Sequence, residues 1–528
     1  MSLALVHSRA RTGVLAPAVR VEVHLAPGLP NLQIVGLPAA AVRESRDRVR
    51  AAIHCAQLEF PSRRITVNLA PADLPKDGGR FDLAIAIGIL AASGLVRLPA
   101  LERVELLGEL ALTGELRPVS AVLPAAIAAA TAGRALVLPA GNGAEAALAH
   151  GVEAYVARSL LEVVAHLNGR RVLPRAGKDA NAPAASQAQG DGWRPPACEA
   201  PDLADVRGQF HARRALEVAA SGAHHVLLVG PPGCGKTLLA TRLPGLLPEA
   251  SEAEALESAV VASACGLGFD LARWRERRFR APHHTATAAA LVGGGSPPRP
   301  GEISLAHHGV LFLDELGEWQ ARALDALRQP LESGVATVSR LGRQAEFPAR
   351  FQLIAAMNPC PCGWAGDASS RCRCTTEQIA QYRHTLSGPL LDRIDLHVHM
   401  ARLKPAEMRG GALAVPESSD VVRARVSHTR EVQLARAGRL NGQLAPRELA
   451  ASCKLSRADQ RLLERAMGKL ELSARAVQRI LRVARTLADM ARSAEIATEH
   501  LTEAIAYRCF DRPNTTTASP GAAAQFAA

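Results

Sequence analysis

Hydrophobic positions recur with two different periods along the chain, and changes of period divide it. Apolar residues alternate with polar ones at 19–24, 64–69 and 104–112, which predicts half-buried strands. The intervening stretches 39–56 and 81–92 carry theirs at helical spacing, so residues 1–169 read as an α+β domain. From Arg170 to Pro196 the composition turns to Ala, Pro, Gly, Gln and Asp without an apolar period, which is linker chemistry, and 170–198 is read as a boundary. A short apolar run at 223–229 then enters a Gly-rich turn, and 236–247 continues with helical period, opening an α/β domain over 199–402. Beyond about Leu403 strand patterns cease; helical segments at 447–470 and 474–492 predict a helical lid over 403–512, followed by a flexible tail at 513–528. The expected fold class is multidomain α/β. No repeat with a period of about 20 to 50 residues occurs.

Length agrees with this division, since 528 residues at about 150 per domain predict three or four domains. The longest apolar stretches, such as 81–96, are short and broken by Gly, so no membrane association is expected. At the N-terminus, Leu3 to Val6 precede His7, Arg9 and Arg11, reversing the order of a secretory signal. Ten cysteines, four of them between 360 and 374, fit a reducing compartment, and a cytoplasmic location is expected. A net charge of +12 favours a polyanionic partner, because neutralised phosphates release counterions; general solubility charge explains the same excess.

The chemistry centres on Gly230-Pro231-Pro232-Gly233-Cys234-Gly235-Lys236-Thr237, a phosphate-binding loop in strand–loop–helix context. Its glycines permit the turns that aim backbone N–H groups at phosphates, Lys236 adds a cation at the β- and γ-phosphates, and Thr237 offers a hydroxyl to Mg²⁺. ATP and Mg²⁺ are the expected cofactors. The apolar run 309–313 ends in Asp314 and Glu315, placing two acids at a strand's end, with Asp314 for the metal and Glu315 to polarise water. The run 351–357 ends at Asn358, whose neutral amide can orient that water; Asn-Pro is also a common turn start.

This order of motifs, continued by Leu391-Asp392-Arg393-Ile394-Asp395 and Ser473-Ala474-Arg475, resembles AAA+ ATPases of the magnesium-chelatase-like branch. The resemblance implies that Asn358 is sensor 1, Arg393 an arginine finger reaching a neighbouring subunit's γ-phosphate, and Arg475 sensor 2 on the lid. A finger acting in trans implies a ring, usually a homo-hexamer. Residues 202–209 resemble the segment packing near the adenine.

Between Lys236 and Asp314 lies an insertion with five arginines at 273–280, interleaved with Trp274 and Phe279. Arg277, Arg278 and Arg280 are candidate DNA contacts, since arginines with aromatics grip phosphates and stack on bases; a subunit-interface loop accounts for them equally. Residues 335–347 read as a hairpin turning near Leu341-Gly342, with Arg340 and Arg343 flanking its tip. In the branch resembled, such a hairpin projects into the ring and touches substrate. Cys360, Cys362, Cys372 and Cys374 form two close pairs, which suit a tetrahedral structural Zn²⁺ or remain free thiols.

The first domain resembles the Lon-protease domain, whose fold is related to ribosomal protein S5, through Pro75-Lys76-Asp77-Gly78 and the stretch 107–118. Arg80 stands where the nucleophilic serine would fall, and no lysine occurs between Lys76 and Lys178 to serve as its base, so a proteolytically inactive domain is expected. From about Leu3 to Arg512 the chain resembles the YifB/ComM family of magnesium-chelatase-like ATPases, on 30–38, 67–73, 299–304 and 473–475 in addition. That family implies a hexameric DNA motor promoting branch migration, a helicase activity, during recombination in natural transformation. A chelatase-type motor acting on a protein partner, an ATP-dependent protease and a non-motor scaffold are the rival readings.

Overall fold

The computed structural model describes residues 3–36, 40–76, 78–177, 201–267, 273–295, 298–340, 343–367, 371–403 and 417–508. The first unit is built on seven strands. They are β1 (Leu3–Arg9), β2 (Ala18–Ala26), β3 (Asn31–Val35), β4 (Arg64–Ala70), β5 (Val104–Leu106) and, after the ribbon of β6 (Glu109–Leu110) and β7 (Leu116–Arg117), β8 (Ala135–Pro139) and β9 (Ala154–Ala157). Their order is β3-β4-β2-β1-β5-β8-β9. Alternation decides which face is covered: Val19, Val21, Val23 and Leu25 of β2 point inward beneath the helix Asp82–Ala92. That helix comes close because Gly88 has no side chain; a Cβ there would lie 2.6 Å from Val23 Cγ2.

The expected linker begins later than its composition indicates. Leu173 is buried, and backbone bonds Val156 N to Pro174 O (2.9 Å) and Ala176 N to Ala154 O (2.8 Å) lay this segment along β9. One apolar residue sufficed to anchor it, too few to show as a period. The remainder of the linker and the tail expected at 513–528 lie outside the described residues.

The second sheet contains β10 (Val226–Val229), β11 (Phe279–Arg280), β14 (Val310–Leu313), β17 (Gln352–Met357) and β18 (Leu396–His399), all parallel in the order β11-β14-β17-β10-β18. Both faces are covered, so β10, β14 and β17 read as continuous apolar runs without alternation. Two ribbons project from this unit: β12 (Gly293–Gly294) with β13 (Arg299–Pro300), and the hairpin of β15 (Val335–Arg340) and β16 (Arg343–Pro348). The hairpin's register runs from Val335↔Pro348 to Arg340↔Arg343, which brackets the expected turn; residues 341–342 and the side chains of Arg340 and Arg343 are outside the described set.

Two expected helices are interrupted. Residues 236–247 form Lys236–Ala240 and Leu243–Leu246, the second with Pro244 in its first turn, where the missing N–H costs nothing. Residues 447–470 divide into Pro446–Ser452 and Arg457–Leu470, the latter N-capped by Ser456. With Ser419–Ala437, Ala474–Met490 and Thr498–Ala506 these make the helical C-terminal region, whose apolar faces join one side of the parallel sheet in a shared core.

The first unit docks on the second. Leu123 and Ala126 of the helix Val122–Thr131 pack with Ala259 of the helix Glu252–Cys265, Leu123 N donates to Glu145 Oε1 (3.0 Å), and the Ser263 hydroxyl donates to that same carboxylate. The turn after β1 reaches the hairpin: Gly13 lies against Ala345 and Phe347, and Val14 packs into their cluster. Among the described residues no helix is long and apolar enough to cross a membrane.

Candidate functional site

Three neighbouring parallel strands deliver the candidate groups to one edge of the sheet. The phosphate-binding loop follows β10, Asp314 and Glu315 follow β14, and Asn358 follows β17. The Lys236 ammonium donates to Gly230 O (2.6 Å), Pro231 O (3.0 Å) and Asn358 Oδ1 (3.1 Å), joining loop and sensor candidate. Burial lowers its pKa, while Cys234, Asp314 and Glu315 act in the opposite direction. The Thr237 hydroxyl donates to Asp314 Oδ2 (2.8 Å). This hydroxyl and carboxylate would suit Mg²⁺, which keeps several waters and takes few protein oxygens. Gly233 and Gly235 have φ of 75° and 94°, the left-handed region that a phosphate-wrapping loop requires. On the far side, Gln209 donates to Cys234 O (3.2 Å) and Ala401 O (2.7 Å), tying the segment expected beside adenine to the loop.

Glu315 is paired with a histidine of the insertion, His284, that no sequence motif singles out. His284 Nδ1 lies 3.1 Å from Glu315 Oε2, and the Glu315 backbone sits at φ 50°. His283-His284 follows the arginine-rich run, but only the fold brings His284 to the acid, while His283 bonds Thr285. Trp319 Nε1 donates to Asp314 O (2.9 Å), fixing the turn after the two acids.

The two expected signalling arginines differ in setting. Arg393 is buried, 2.6 Å from Glu332 Oε1 through Nη2, and is thus engaged within its own chain. Arg475 is exposed in the first turn of the helix Ala474–Met490, whose capping Ser473 lies 3.4 Å from Asp392 Oδ2. The nearby Asp395 was missed as a structural node. It receives Arg479 Nη1 from the lid (2.9 Å) and His225 N (2.8 Å); burial would raise its pKa, but Arg479 and His224 hold it well below the carboxylate range.

Of the insertion's three candidate DNA contacts, Arg277 and Arg280 are engaged within the chain. Arg277 donates to Pro248 O and His308 O, both at 2.9 Å, and pairs with Glu254 at 2.9 Å. Arg280 clamps Glu302 at 2.7 and 2.8 Å. Arg278 is partly buried, and desolvation lowers its pKa. Arg277 and Arg280 are spent on the protein's own carboxylates and carbonyls, so these two hold the insertion together instead of offering charge to a polyanion.

Two clusters have metal-ligand composition. Cys360, Cys362, Cys372 and Cys374 bring four sulfurs within 4.8 Å of one another. The separations 3.3 Å (Cys360–Cys362), 3.6 Å (Cys362–Cys372) and 3.8 Å (Cys360–Cys372) suit Zn²⁺, whose tetrahedral Zn–S bonds set S···S at about 3.8 Å. Backbone N–H groups of Arg373 and Trp364 lower the Cys362 pKa, whereas the shared thiol cluster leaves those of Cys372 and Cys374 raised. The second cluster, Glu257, His307 and His308, does not fit a metal. Arg350 N donates to His307 Nδ1 (3.0 Å), which leaves the ring proton on Nε2, the atom 3.0 Å from Glu257 Oε2. A ligand lone pair is therefore lacking where the metal would sit.

In the first unit, Arg80 is buried, its pKa lowered to about 10 by desolvation, with Nε and Nη2 lacking hydrogen bonds among the described residues. Lys76, also buried, donates to Gly36 O (3.0 Å) and Pro71 O. Neither residue stands as a nucleophile and base pair. Asp77 lies outside the described residues.

Comparison with known proteins agrees with this layout. Models of the magnesium chelatase family match three stretches: "Subunit ChlI of Mg-chelatase" over residues 21–142, "Magnesium chelatase, subunit ChlI" over 202–408 and "Magnesium chelatase, subunit ChlI C-terminal" over 416–508. Competence protein ComM of Haemophilus influenzae is 49% identical over 512 residues, covering 97% of this chain and 98% of the relative. The YifB protein of Salmonella typhimurium is 48% identical over 514 residues, with the same coverages. Lon protease 2 of Bacillus subtilis is 34% identical over 138 residues, about a quarter of each chain.

Proposed function

Because the chain belongs to the ComM/YifB family of magnesium-chelatase-like AAA+ ATPases, we propose that it is an ATP-hydrolysing motor acting on DNA, promoting branch migration during recombination of incoming DNA in natural transformation. The observation that carries the ATPase part is the single constellation of Lys236, Thr237, Asp314 and Asn358 on adjoining strand ends. Lys236 and the loop's N–H groups hold the phosphates, Thr237 and Asp314 hold Mg²⁺, and Glu315 and Asn358 orient the attacking water. Mg²⁺ held there would neutralise phosphate charge.

The DNA part is supported by the basic balance of +12, the hairpin carrying Arg340 and Arg343, and the competence role in the relative's name. In this reading the chain works in the cytoplasm as a homo-hexamer, with Arg393 leaving Glu332 to reach a neighbour's phosphate and Arg475 reporting nucleotide to the lid. A structural Zn²⁺ completes the cofactor set. The first domain is a Lon-like scaffold without protease chemistry. The family description favours one second reading, a chelatase-type motor remodelling a protein partner.

The test is a labelled three- or four-stranded DNA junction incubated with protein, ATP and Mg²⁺. Wild type resolves it, and Lys236→Ala, which removes the phosphate cation, slows ATP turnover by at least about a hundredfold and leaves the junction intact. Absence of DNA binding at every salt concentration sinks the DNA reading while leaving the ATPase one standing.

A further inference from the structure

The four-cysteine loop does more than lie near the nucleotide site; it leans on the phosphate-binding loop. Cys360 follows Asn358 by one proline, and its buried sulfur accepts from Ala365 N at 3.2 Å. Gly363 N donates to Cys360 O (2.9 Å), folding the segment back so that Gly363, at φ 83°, meets Pro232. A Cβ on Gly363 would lie 2.8 Å from both Cδ and Cγ of Pro232. Behind the phosphate-binding loop, a Cβ on Gly230 would lie 2.4 Å from Met400 O and 2.9 Å from Cys234 Sγ. The loop is therefore wedged between the end of β18 and the cysteine segment.

That segment has little packing of its own. Residues 371–375 carry no regular structure before the helix Thr376–His384, and Trp364 is covered by the guanidiniums of Arg371 (5.1 Å) and Arg402 (5.3 Å) rather than by a core. Its two halves meet at the four sulfurs. A metal is what such a segment needs, since ligand bonds can replace a core.

We propose that Cys360, Cys362, Cys372 and Cys374 bind one Zn²⁺ per chain, and that the zinc-loaded loop splints Pro232 through Gly363, making nucleotide affinity depend on a metal that never touches nucleotide. The inference rests on the ATP-binding reading. Losing the splint frees backbone residues whose ordering must then accompany nucleotide binding, so affinity falls by at least about tenfold.

The experiment uses full-length protein purified in reducing buffer without chelator. Elemental analysis should give close to one zinc per chain, and a fluorescent ATP analogue should bind. Stripping the zinc with an organomercurial, then removing the mercurial with excess thiol, should weaken that binding by at least about tenfold while far-UV circular dichroism retains the helical signal; added Zn²⁺ should restore it. Gly363→Ala separates contact from metal: it should keep the zinc and still weaken the analogue. Zinc-free native protein, unchanged affinity after stripping, or a Gly363→Ala chain that binds normally would each overturn the splint. Zinc-loaded wild type that binds no analogue overturns the ATP-binding reading along with it.

Discussion

At the scale of single residues, the acid proposed to polarise the attacking water is paired with a neighbour. Glu315 shares its carboxylate with His284 at 3.1 Å, so on the proposed function one oxygen of the acid is already engaged. Both side chains are partly exposed, and pairs of this kind are worth at most about 1 kcal/mol. Replacing His284 with Ala should therefore raise DNA-independent kcat about two- to fivefold with KM for ATP unchanged, whereas His284→Gln, which still donates to the acid, should stay near wild type. A fall in kcat for His284→Ala in steady-state ATPase assays would mean that His284 supports the acid. The phosphate-binding loop was legible in the sequence because its chemistry is set by local spacing. His284 was not, because its partner is chosen by the pairing of β11 with β14. Arg277 and Arg280 misled for a related reason: a run of cations shows charge, but not the Glu254 and Glu302 that neutralise it.

At the scale of elements, local signals located the hairpin and the buried strands and misjudged continuity. Residues 236–247 have one apolar period, yet Pro244 starts a new helix; at the linker, Leu173 holds a stretch that composition alone assigns to solvent. The joint between the strands β14 and β17 carries a pH dependence. His307, just before β14, accepts Arg350 N from the segment entering β17, and burial, aided by His308 and Arg350 against the pull of Glu257, lowers its pKa to about 4. An unfolded histidine takes a proton near pH 6.5, so between about 6.5 and 4 protons favour the unfolded chain and stability falls as pH drops. Urea midpoints measured by tryptophan fluorescence should be lower at pH 5 than at pH 7, and His307→Asn should narrow the difference. An unchanged difference in that variant would assign the effect to other groups.

At the scale of the whole molecule, the proposed ring can be probed through Arg393. In this chain its guanidinium is bound to Glu332, so action on a neighbour requires that pair to open. Mixing Arg393→Ala subunits with wild type should depress ATPase activity more steeply than the variant's share of the mixture; a straight-line decline would count against a finger in trans. Zinc stripping and its reversal probe the same machine from the other side of the nucleotide. The order of motifs made the α/β core and its strand ends readable in advance, while the parallel pairing of those strands comes from the fold. The docking of the first unit was not readable, since Ala259 and Val14 look in sequence like any buried residue and their partners lie in another domain.

That docking has a practical result for anyone cutting the protein into pieces. Gly13 and Val14 cover Ala345 and Phe347 at the root of the hairpin, while Leu123 and Ala126 cover Ala259. An ATPase fragment starting near residue 200 would carry both patches uncovered, one of them beside the element proposed to grip DNA. Such a fragment would stick to itself through surfaces that evolution never meant to meet, and its oligomers would report the scar of the cut, not the ring.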